Sequence, residues 1–219
     1  MPFGTPKSIE LYPSIEATIA RFKKEFEQIP EERKKLLNEL ALGIAQKLQS
    51  GTKADLVFIC THNSRRSQMA QIWAQTAAFY YEINSAFTYS GGTEATAFDP
   101  RAINALNEAG FRISKTTTGN NPIYEVRYSD HVSPLKCYSK VYSTEVNPAK
   151  GFFAVMTCAQ ADQNCPLVIG ATLRIAIPYD DPKDFDRTAQ EAAQYTERLH
   201  QIGQEMLYAF SLIQRKLNR

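Results

Sequence analysis

The sequence predicts an α/β protein whose core is a doubly wound, mostly parallel, four-stranded sheet. A continuous apolar run from Leu56 to Ile59 is typical of a central strand that is covered on both faces. Beyond it, segments with strand character alternate with segments of helical periodicity, the order that builds a parallel sheet with helices on its faces. With 219 residues, 43% of them hydrophobic, the chain can bury a core that needs no disulfides.

Ahead of this sheet, residues 1–52 are predicted to form an N-terminal helical extension of two helices. Apolar residues recur there at spacings of three and four, and Pro30 stands where the second helix would begin. Nothing in the extension carries chemistry, so we expect a packing arm, with a homodimer through these helices as a further expectation. The apolar positions are Ile15, Ile19, Phe22, Phe26, Leu36, Leu37, Leu40, Ile44 and Leu48.

The catalytic domain is expected to cover residues 53–219, with an insertion at about 120–150. Asp99 is placed to cap one of its helices, and Gly110 is placed to end that helix. In the insertion, two stretches that alternate polar with apolar residues flank Ser133-Pro134, a pattern typical of a β-hairpin. The other expected elements are a helix over 67–81, strands over 86–90, 152–157 and 173–177, hairpin strands over 123–129 and 136–143, and a long helix over 187–217.

The net charge of +2 is too small to predict binding to nucleic acid or to an anionic membrane surface. No apolar stretch approaches the length needed to span a bilayer, and residues 1–11 lack the charged start and apolar core of a secretory signal. We therefore expect a cytoplasmic protein. In that reducing compartment its four cysteines are expected to be catalytic, redox-active or simply buried, rather than paired in structural disulfides.

The strongest chemical signal runs from Cys60 to Ser67, between the predicted central strand and the next helix. Ligands bind at this place in open α/β sheets, because the loop can point successive backbone N–H groups at one anion and the helix N-terminus adds positive charge. Such a loop also stabilises a thiolate, which predicts Cys60 as a nucleophile. The alternative is a buried cysteine at a strand end, followed by a polar helix start. The candidate oxyanion-binding residues are Thr61, His62, Asn63, Ser64, Arg65 and Ser67.

Arg66 completes the predicted anion site. A guanidinium at this position can hold two oxyanion oxygens in a bidentate contact, which a lysine cannot reproduce. The hydroxyl of Ser67 can donate a hydrogen bond to the sulfur of Cys60. Together these residues predict an enzyme that uses a cysteine thiolate on a tetrahedral oxyanion.

The order C-x5-R-S from Cys60 to Ser67 resembles the anion-binding loop of the low-molecular-weight protein tyrosine phosphatases and of the thioredoxin-coupled arsenate reductases that share their fold. The resemblance includes Ser67-Gln68-Met69-Ala70, the segment from Ser90 to Ala95, and Asp180-Asp181-Pro182. It runs from about Ala54 to the end of the chain and leaves out the N-terminal extension and the insertion. It implies an α/β fold and activity on arsenate, phosphate or phosphotyrosine.

Asp181, just before Pro182, resembles the general acid of this family. A carboxylic acid held over the bound anion can protonate the departing oxygen and so improve it as a leaving group. Asp180 competes for the same role. The alternative is an acidic turn without chemistry, because Asp-Pro pairs commonly start turns.

Two further cysteines distinguish the branches of the family. The segment from Thr157 to Pro166 resembles the redox segment of the arsenate reductases, which implies a relay of thiols. Cys60 attacks arsenate, Cys158 attacks Cys60 and releases arsenite, and Cys165 attacks Cys158 to leave a disulfide that a thioredoxin can reduce. The alternative is a buried strand cysteine and an unrelated loop cysteine. Cys137, in the insertion, is expected to be a bystander.

Three positions depart from the pattern of the family. His62 stands where both branches usually carry a smaller residue, and it is expected either to titrate near the anion or to hydrogen-bond a neighbour. Arg65 replaces a cysteine common in the arsenate reductases and adds positive charge beside the site. Gln71 replaces a glutamate linked to potassium binding in some of them, and zinc needs more local ligands than two cysteines, so no metal or cofactor is expected.

Three functions stay open on the sequence. The first is arsenate reduction through Cys60, Cys158 and Cys165, with a thioredoxin-like reductant. The second is phosphoester hydrolysis through Cys60, Arg66 and Asp181, which are also all present. The third is a non-catalytic module that binds an oxyanion or a phosphotyrosine, and such a module would more naturally have lost Cys60 or Asp181.

Overall fold

The computed structural model describes residues 10–165 and 167–218. Its strands are β1 (Ala54–Cys60), β2 (Ala86–Gly92), β3 (Arg112–Lys115), β4 (Tyr124–Arg127), β5 (Leu135–Cys137), β6 (Phe152–Met156) and β7 (Ala171–Ala176). The central sheet has the order β2-β1-β6-β7, and all three neighbouring pairs in it are parallel. This confirms the doubly wound, four-stranded sheet that the sequence predicts.

Helices cover both faces of this sheet, and the longest of them lies at the centre of their packing. The helices are α1 (Pro13–Lys24), α2 (Glu31–Gln49), α3 (Arg66–Tyr80), α4 (Pro100–Glu108), α5 (Ala159–Asn164) and α6 (Glu191–Leu217), with 3₁₀ turns at Phe26–Gln28 and Pro182–Phe185. The first four helices all contact α6, whereas α5 contacts β1 and β6. No helix in the described ranges combines the length and the apolar character that a membrane crossing requires.

Strand β1 is buried along its whole length, and alternate side chains of it face two hydrophobic clusters. Leu56 and Phe58 belong to the larger cluster. Val57, Ile59 and Cys60 belong to the smaller cluster, which α5 covers. The candidate nucleophile therefore stands at the carboxyl end of a strand that is fixed by packing on both faces.

The apolar stripes of α1 and α2 are buried inside the chain. Ile15, Phe22 and Leu40 have no exposed surface, and the ring of Phe22 lies 5.4 Å from that of Trp73. The predicted pair of helices is thus present and shares the larger cluster with the domain that follows it. Dimerisation through these helices, and their standing as a separate unit, stay predictions.

The predicted hairpin in the insertion is present as the antiparallel pair β4 and β5. It extends a three-stranded sheet of order β3-β4-β5. Strand β3 escaped the sequence analysis because it is four residues long and mostly exposed, so it has no apolar pattern. Helix α6 begins later than expected, after a left-handed residue, Arg187 (φ 64°), that a helix cannot contain.

Candidate active site

The loop from β1 to α3 is held by backbone contacts with the end of β2. The N–H of Thr93 donates to the carbonyl oxygen of Cys60 at 3.1 Å, and the N–H of Glu94 donates to that of Thr61 at 3.0 Å. A Cβ on Gly92 would lie 2.2 Å from the carbonyl oxygen of Glu94 and 2.8 Å from the nitrogen of Asn63. Only glycine allows this approach, which gives the segment from Ser90 to Ala95 a structural reason to accompany the loop.

Inside the loop, a short chain of hydrogen bonds leads to the sulfur of Cys60. The side-chain amide of Asn63, itself in a left-handed conformation (φ 46°), donates to the hydroxyl of Ser67 at 2.8 Å. The hydroxyl of Ser67 lies 3.0 Å from the sulfur of Cys60. Because the amide occupies a lone pair of that hydroxyl, the hydroxyl proton is free to point at the sulfur of Cys60.

The insertion supports the loop from outside, a role that the sequence analysis missed. The N–H of Lys140 donates to the side-chain oxygen of Asn63 at 3.0 Å, and the hydroxyl of Ser139 donates to the carbonyl oxygen of His62 at 2.7 Å. The amide of Gln68 donates to the carbonyl oxygen of Tyr138 at 2.9 Å. The segment gave no sequence signal, because its contribution consists largely of backbone groups and a serine hydroxyl.

Arg66 begins α3, and one buried nitrogen of its guanidinium has no hydrogen-bond acceptor among the described residues. Its guanidinium donates to the carbonyl oxygen of Tyr179 at 3.0 Å and to Asp181 Oδ2 at 2.6 Å. The side chain is only 12% exposed, and its Nε is buried without a hydrogen-bond partner among the described residues. A buried cationic donor without an acceptor is costly, so the arrangement suits an anion beside Arg66. A small depression here is lined by Cys60, His62, Ser64, Arg65 and Arg66.

Asp181 faces the loop, whereas Asp180 does not. Both carboxylate oxygens of Asp181 accept from Arg65, Oδ1 from Nε at 2.8 Å and Oδ2 from Nη2 at 3.2 Å. The side chain of Asp180 is 93% exposed and pairs with Arg198 at 3.4 Å. Of the two acids before Pro182, the structure therefore brings Asp181 to the anion loop.

The two arginines govern the protonation of Asp181. Burial by itself would raise the pKa of its carboxyl group, because the charged form loses water. The hydrogen bonds from Arg65 and the positive charges of Arg66 and Arg65 outweigh burial, so the pKa lies below its usual value. As the structure stands, Asp181 is a carboxylate at neutral pH.

The remaining loop side chains have local partners. His62 Nε2 lies 2.8 Å from a carboxylate oxygen of Glu94, so His62 is held by a neighbour at the rim of the depression. The hydroxyl of Thr61 donates to the amide oxygen of Gln160 at 3.2 Å and lies 3.5 Å from the sulfur of Cys158. The loop is thereby joined directly to the start of α5.

Three of the four cysteines lie in or beside one hydrophobic cluster. Cys60, Cys158 and the partly exposed Cys165 belong to or pack on the smaller cluster. Cys158 caps α5, its sulfur accepting from the N–H of Ala161 at 3.3 Å, and Cys165 stands at the other end of the helix. Cys137 lies in the larger cluster, where burial raises the pKa of its thiol to about 12. Such a thiol is inert near neutral pH.

Comparison with known proteins places this arrangement in context. The sequence model described as "Low molecular weight phosphotyrosine protein phosphatase" matches residues 55–132. Arsenate reductase 2 of Staphylococcus epidermidis is 30% identical over 145 residues, which cover 64% of this chain and 90% of that protein. An arsenate reductase of Bacillus cereus is 29% identical over 157 residues, which cover 69% of this chain and 98% of that protein.

A solved structure supports the fold alone. The low-molecular-weight phosphotyrosine phosphatase of Vibrio cholerae superposes with a TM-score of 0.51 at 15% identity, over 72% of this chain and 94% of that one. The shared region has the architecture described above, and the low identity carries no argument about substrate.

Proposed function

The chain belongs to the low-molecular-weight phosphotyrosine protein phosphatase family, and from that membership we propose that it reduces arsenate to arsenite with Cys60, Cys158 and Cys165 as its thiols. The observation that carries the proposal is the grouping of these three cysteines in the smaller cluster beside the anion loop. The relatives named arsenate reductase support the same reaction. A family member that only hydrolyses phosphoesters needs Cys60 alone of the three.

In the first step the loop binds the anion and Cys60 attacks arsenic. Backbone N–H groups of residues 61–66 and the guanidinium of Arg66 hold the oxygens. The Cys60 thiolate forms an S–As bond, and one arsenate oxygen leaves as water. Dihydrogen arsenate brings both protons of that water, so thiolate and monoanion give a dianionic thiol adduct without a proton from the protein.

In the second step the arsenic is reduced. The thiolate of Cys158 attacks the sulfur of Cys60, an S–S bond forms, and the S–As bond breaks with its electron pair left on arsenic, which departs as arsenite. Two thiols lose two electrons and arsenic(V) gains them. The thiolate of Cys165 then attacks Cys158, which frees Cys60 and leaves a Cys158–Cys165 disulfide.

Formation of that disulfide requires α5 to open. Cys158 and Cys165 stand at opposite ends of the helix, roughly 10 Å apart along its axis at 1.5 Å per residue. A disulfide needs Cα atoms within about 7 Å. Arg174 of β7 resists opening, since its guanidinium donates to the carbonyl oxygens of Asp162 at 2.7 Å and Cys165 at 3.2 Å and to the Asp162 carboxylate at 2.5 Å.

Arg174→Gln is expected to lower the free energy needed to open α5 by about 1 kcal/mol, because the partly exposed hydrogen bonds from Arg174 to the C-terminal end of α5 are lost. Hydrogen exchange of the α5 amides should then speed up several-fold, and the Cys158–Cys165 disulfide should form faster after a single turnover. Arg127→Gln is the matched control, since the ion pair that Arg127 makes within the described part of the chain is with Glu125 on its own strand β4. Unchanged exchange in the Arg174 variant would contradict a restraining role.

The reductant is proposed to be a thioredoxin-like dithiol protein. Cys165 is partly exposed and is followed by Leu167 and Ile169, which are 74% and 78% exposed. Apolar side chains beside an accessible sulfur suit a partner that must bring its own thiol to that sulfur. Pro166 lies outside the described residues. The cysteines are all unpaired, which fits the reducing cytoplasm expected from the sequence.

Phosphoester hydrolysis is the second candidate function, and it is favoured by the contacts of Asp181 with Arg65 and Arg66, which line the same depression as Cys60. A phosphoester dianion brings no proton for its departing oxygen, so this reaction needs Asp181 in its acid form. A non-catalytic binding module ranks last, since the nucleophile and the acid are both kept. Arsenite production with thioredoxin, measured beside aryl phosphate hydrolysis by the same protein, decides between the first two.

Asp181→Asn is expected to slow hydrolysis of an aryl phosphate with a basic phenolate about a hundredfold, at the pH where the unchanged protein is fastest. The loss should shrink for acidic phenolates, which leave unaided, and it should be smaller for arsenate reduction. Steady-state rates across a series of leaving groups measure this. Asp180→Asn is the control, because its exposed carboxylate pairs with Arg198. A uniform loss across phenolates would mean that Asp181 only positions its loop.

A further inference from the structure

Arg65 occupies the one loop position whose side chain binds carboxylates on two different elements. Its Nε and Nη2 hold both oxygens of Asp181, and its Nη1 donates to Asp99 Oδ2 at 3.2 Å. The three side chains are 9%, 20% and 10% exposed, so the contacts are shielded from water. Because two nitrogens of Arg65 each bind one oxygen of Asp181, the ion pair fixes the orientation of this carboxylate as well as balancing its charge.

As long as Arg66 contacts Asp181, the hydrogen bonds around this carboxylate leave no place for a proton. Oδ1 accepts from Arg65 Nε and from the N–H of Lys183 at 3.2 Å, while Oδ2 accepts from Arg65 Nη2 and from Arg66 Nη2. A carboxylate offers about four lone-pair positions, and four donors fill them. The nitrogens of arginine cannot accept hydrogen bonds. The O–H of a protonated Asp181 would therefore point at an N–H group, and both would be donors.

We propose that Arg65 is a positioning residue that sets specificity, by holding Asp181 as a carboxylate so that the site favours an anion which brings its own protons over an ester that needs one. When Arg66 turns to a bound anion, it vacates one lone pair of Asp181, but the two contacts from Arg65 stay. Dihydrogen arsenate loses little by this, whereas a phosphoester lacks its acid. The inference deepens the proposed arsenate reduction and rests on it, because a preference for arsenate matters only if the protein reduces arsenate. The pH dependence of ester hydrolysis can be measured in either case.

The charges near Asp181 determine whether each substitution should raise or lower the pKa of its carboxyl group. Arg65 and Arg66 favour its carboxylate form, and Asp99 opposes them by sharing Arg65. Asp180 is a nearby like charge, compensated by Arg198 of α6. Other titratable groups around Asp181 and its partners are Cys60 of β1, His62 of the loop, Lys183 and Asp184 of the 3₁₀ turn, Asp186 just after that turn, Arg101 of α4, and Tyr195 and Glu191 of α6.

The test is the pH–rate profile for an aryl phosphate with a basic phenolate. Its limb that falls with rising pH reports loss of the acid form of Asp181, and Asp181→Asn should remove that limb. Arg65→Gln should move the limb to higher pH by at least about half a pH unit, since a neighbouring opposite charge commonly shifts an acid by one or more. Hydrolysis at neutral pH should then rise, up to about tenfold per pH unit, relative to arsenate reduction.

Two variants keep the proposal falsifiable should Arg65→Gln fold poorly. Asp99→Asn keeps the oxygen that caps α4 by accepting from the N–H of Arg101, but it gives Arg65 wholly to Asp181. Its limb should therefore move to lower pH, opposite in sign to Arg65→Gln. Arg65→Lys keeps the charge but loses the bidentate contact. The pH of its falling limb should therefore lie between that of the unchanged protein and that of Arg65→Gln.

An unmoved limb in Arg65→Gln, or limbs of Arg65→Gln and Asp99→Asn that move in the same direction, would overturn the proposal. So would an equal fall in hydrolysis of every ester together with arsenate reduction, because that is the sign of a merely structural arginine. If the unchanged protein makes no arsenite, the proposed function fails while the limb still moves. The two failures are thus separate results.

Discussion

Cys60→Ser is expected to abolish arsenate reduction and phosphoester hydrolysis together, by at least about a thousandfold each. Both reactions begin with attack by the same sulfur, and a serine hydroxyl is hardly ionised near neutral pH even where Ser67 and the loop N–H groups favour an anion. Steady-state arsenite release and aryl phosphate hydrolysis measure the two losses. The Cys60→Ser variant should still bind inorganic phosphate, measured by calorimetry, because the loop N–H groups and Arg66 remain.

Cys137→Ala provides the matched control for Cys60→Ser. It also removes a buried cysteine, but one that lies in the larger cluster, whereas Cys60 belongs to the smaller one. Alanine leaves no buried hydroxyl without a partner, so only a modest loss of stability is expected. Both activities should stay within about twofold of the unchanged protein once folding is confirmed by a thermal melt. Turnover by Cys60→Ser beyond a trace would refute the thiolate mechanism for both candidate functions.

The central sheet was predictable because its strands carry strong local patterns. A strand such as β1, buried on both faces, must be apolar throughout, and a helix such as α4 shows its cap and its stop in Asp99 and Gly110. By contrast, α5 is a six-residue helix with little hydrophobic periodicity, and it is held by Arg174 from a distant strand. Contacts made over such separations leave no trace in the local sequence.

The candidate site was predictable as a set of residues but not as a network. Spacing marks Cys60, Arg66 and Ser67, yet it does not tell that Arg65 would bind Asp181 and Asp99. From the sequence, Arg65 is only additional positive charge. Its partners lie 34 and 116 positions away, so the pairing follows from the fold. The support from residues 138–140 was invisible for the same reason.

The second large effect separates the branches of the family. Cys158→Ser is expected to stop multiple-turnover arsenate reduction, with a loss of at least about a hundredfold, and to leave aryl phosphate hydrolysis within a few-fold. Only reduction needs a second sulfur to attack Cys60 and take the electron pair out of the S–As bond. Serine can keep the cap of α5, because its oxygen can accept from the N–H of Ala161 as the sulfur does.

Cys165→Ser should fail at a later step, and this distinguishes the relay from a structural role. Cys158 can still attack Cys60 and release one arsenite per chain, so a single burst is expected, followed by a protein locked as a Cys60–Cys158 disulfide. Cys158→Ser should give no burst at all. Rapid-quench arsenite assays and mass spectrometry of the trapped disulfide measure both. If either variant loses hydrolysis as severely as reduction, the two cysteines support the fold, and the proposed assignment of this chain to arsenate reduction falls.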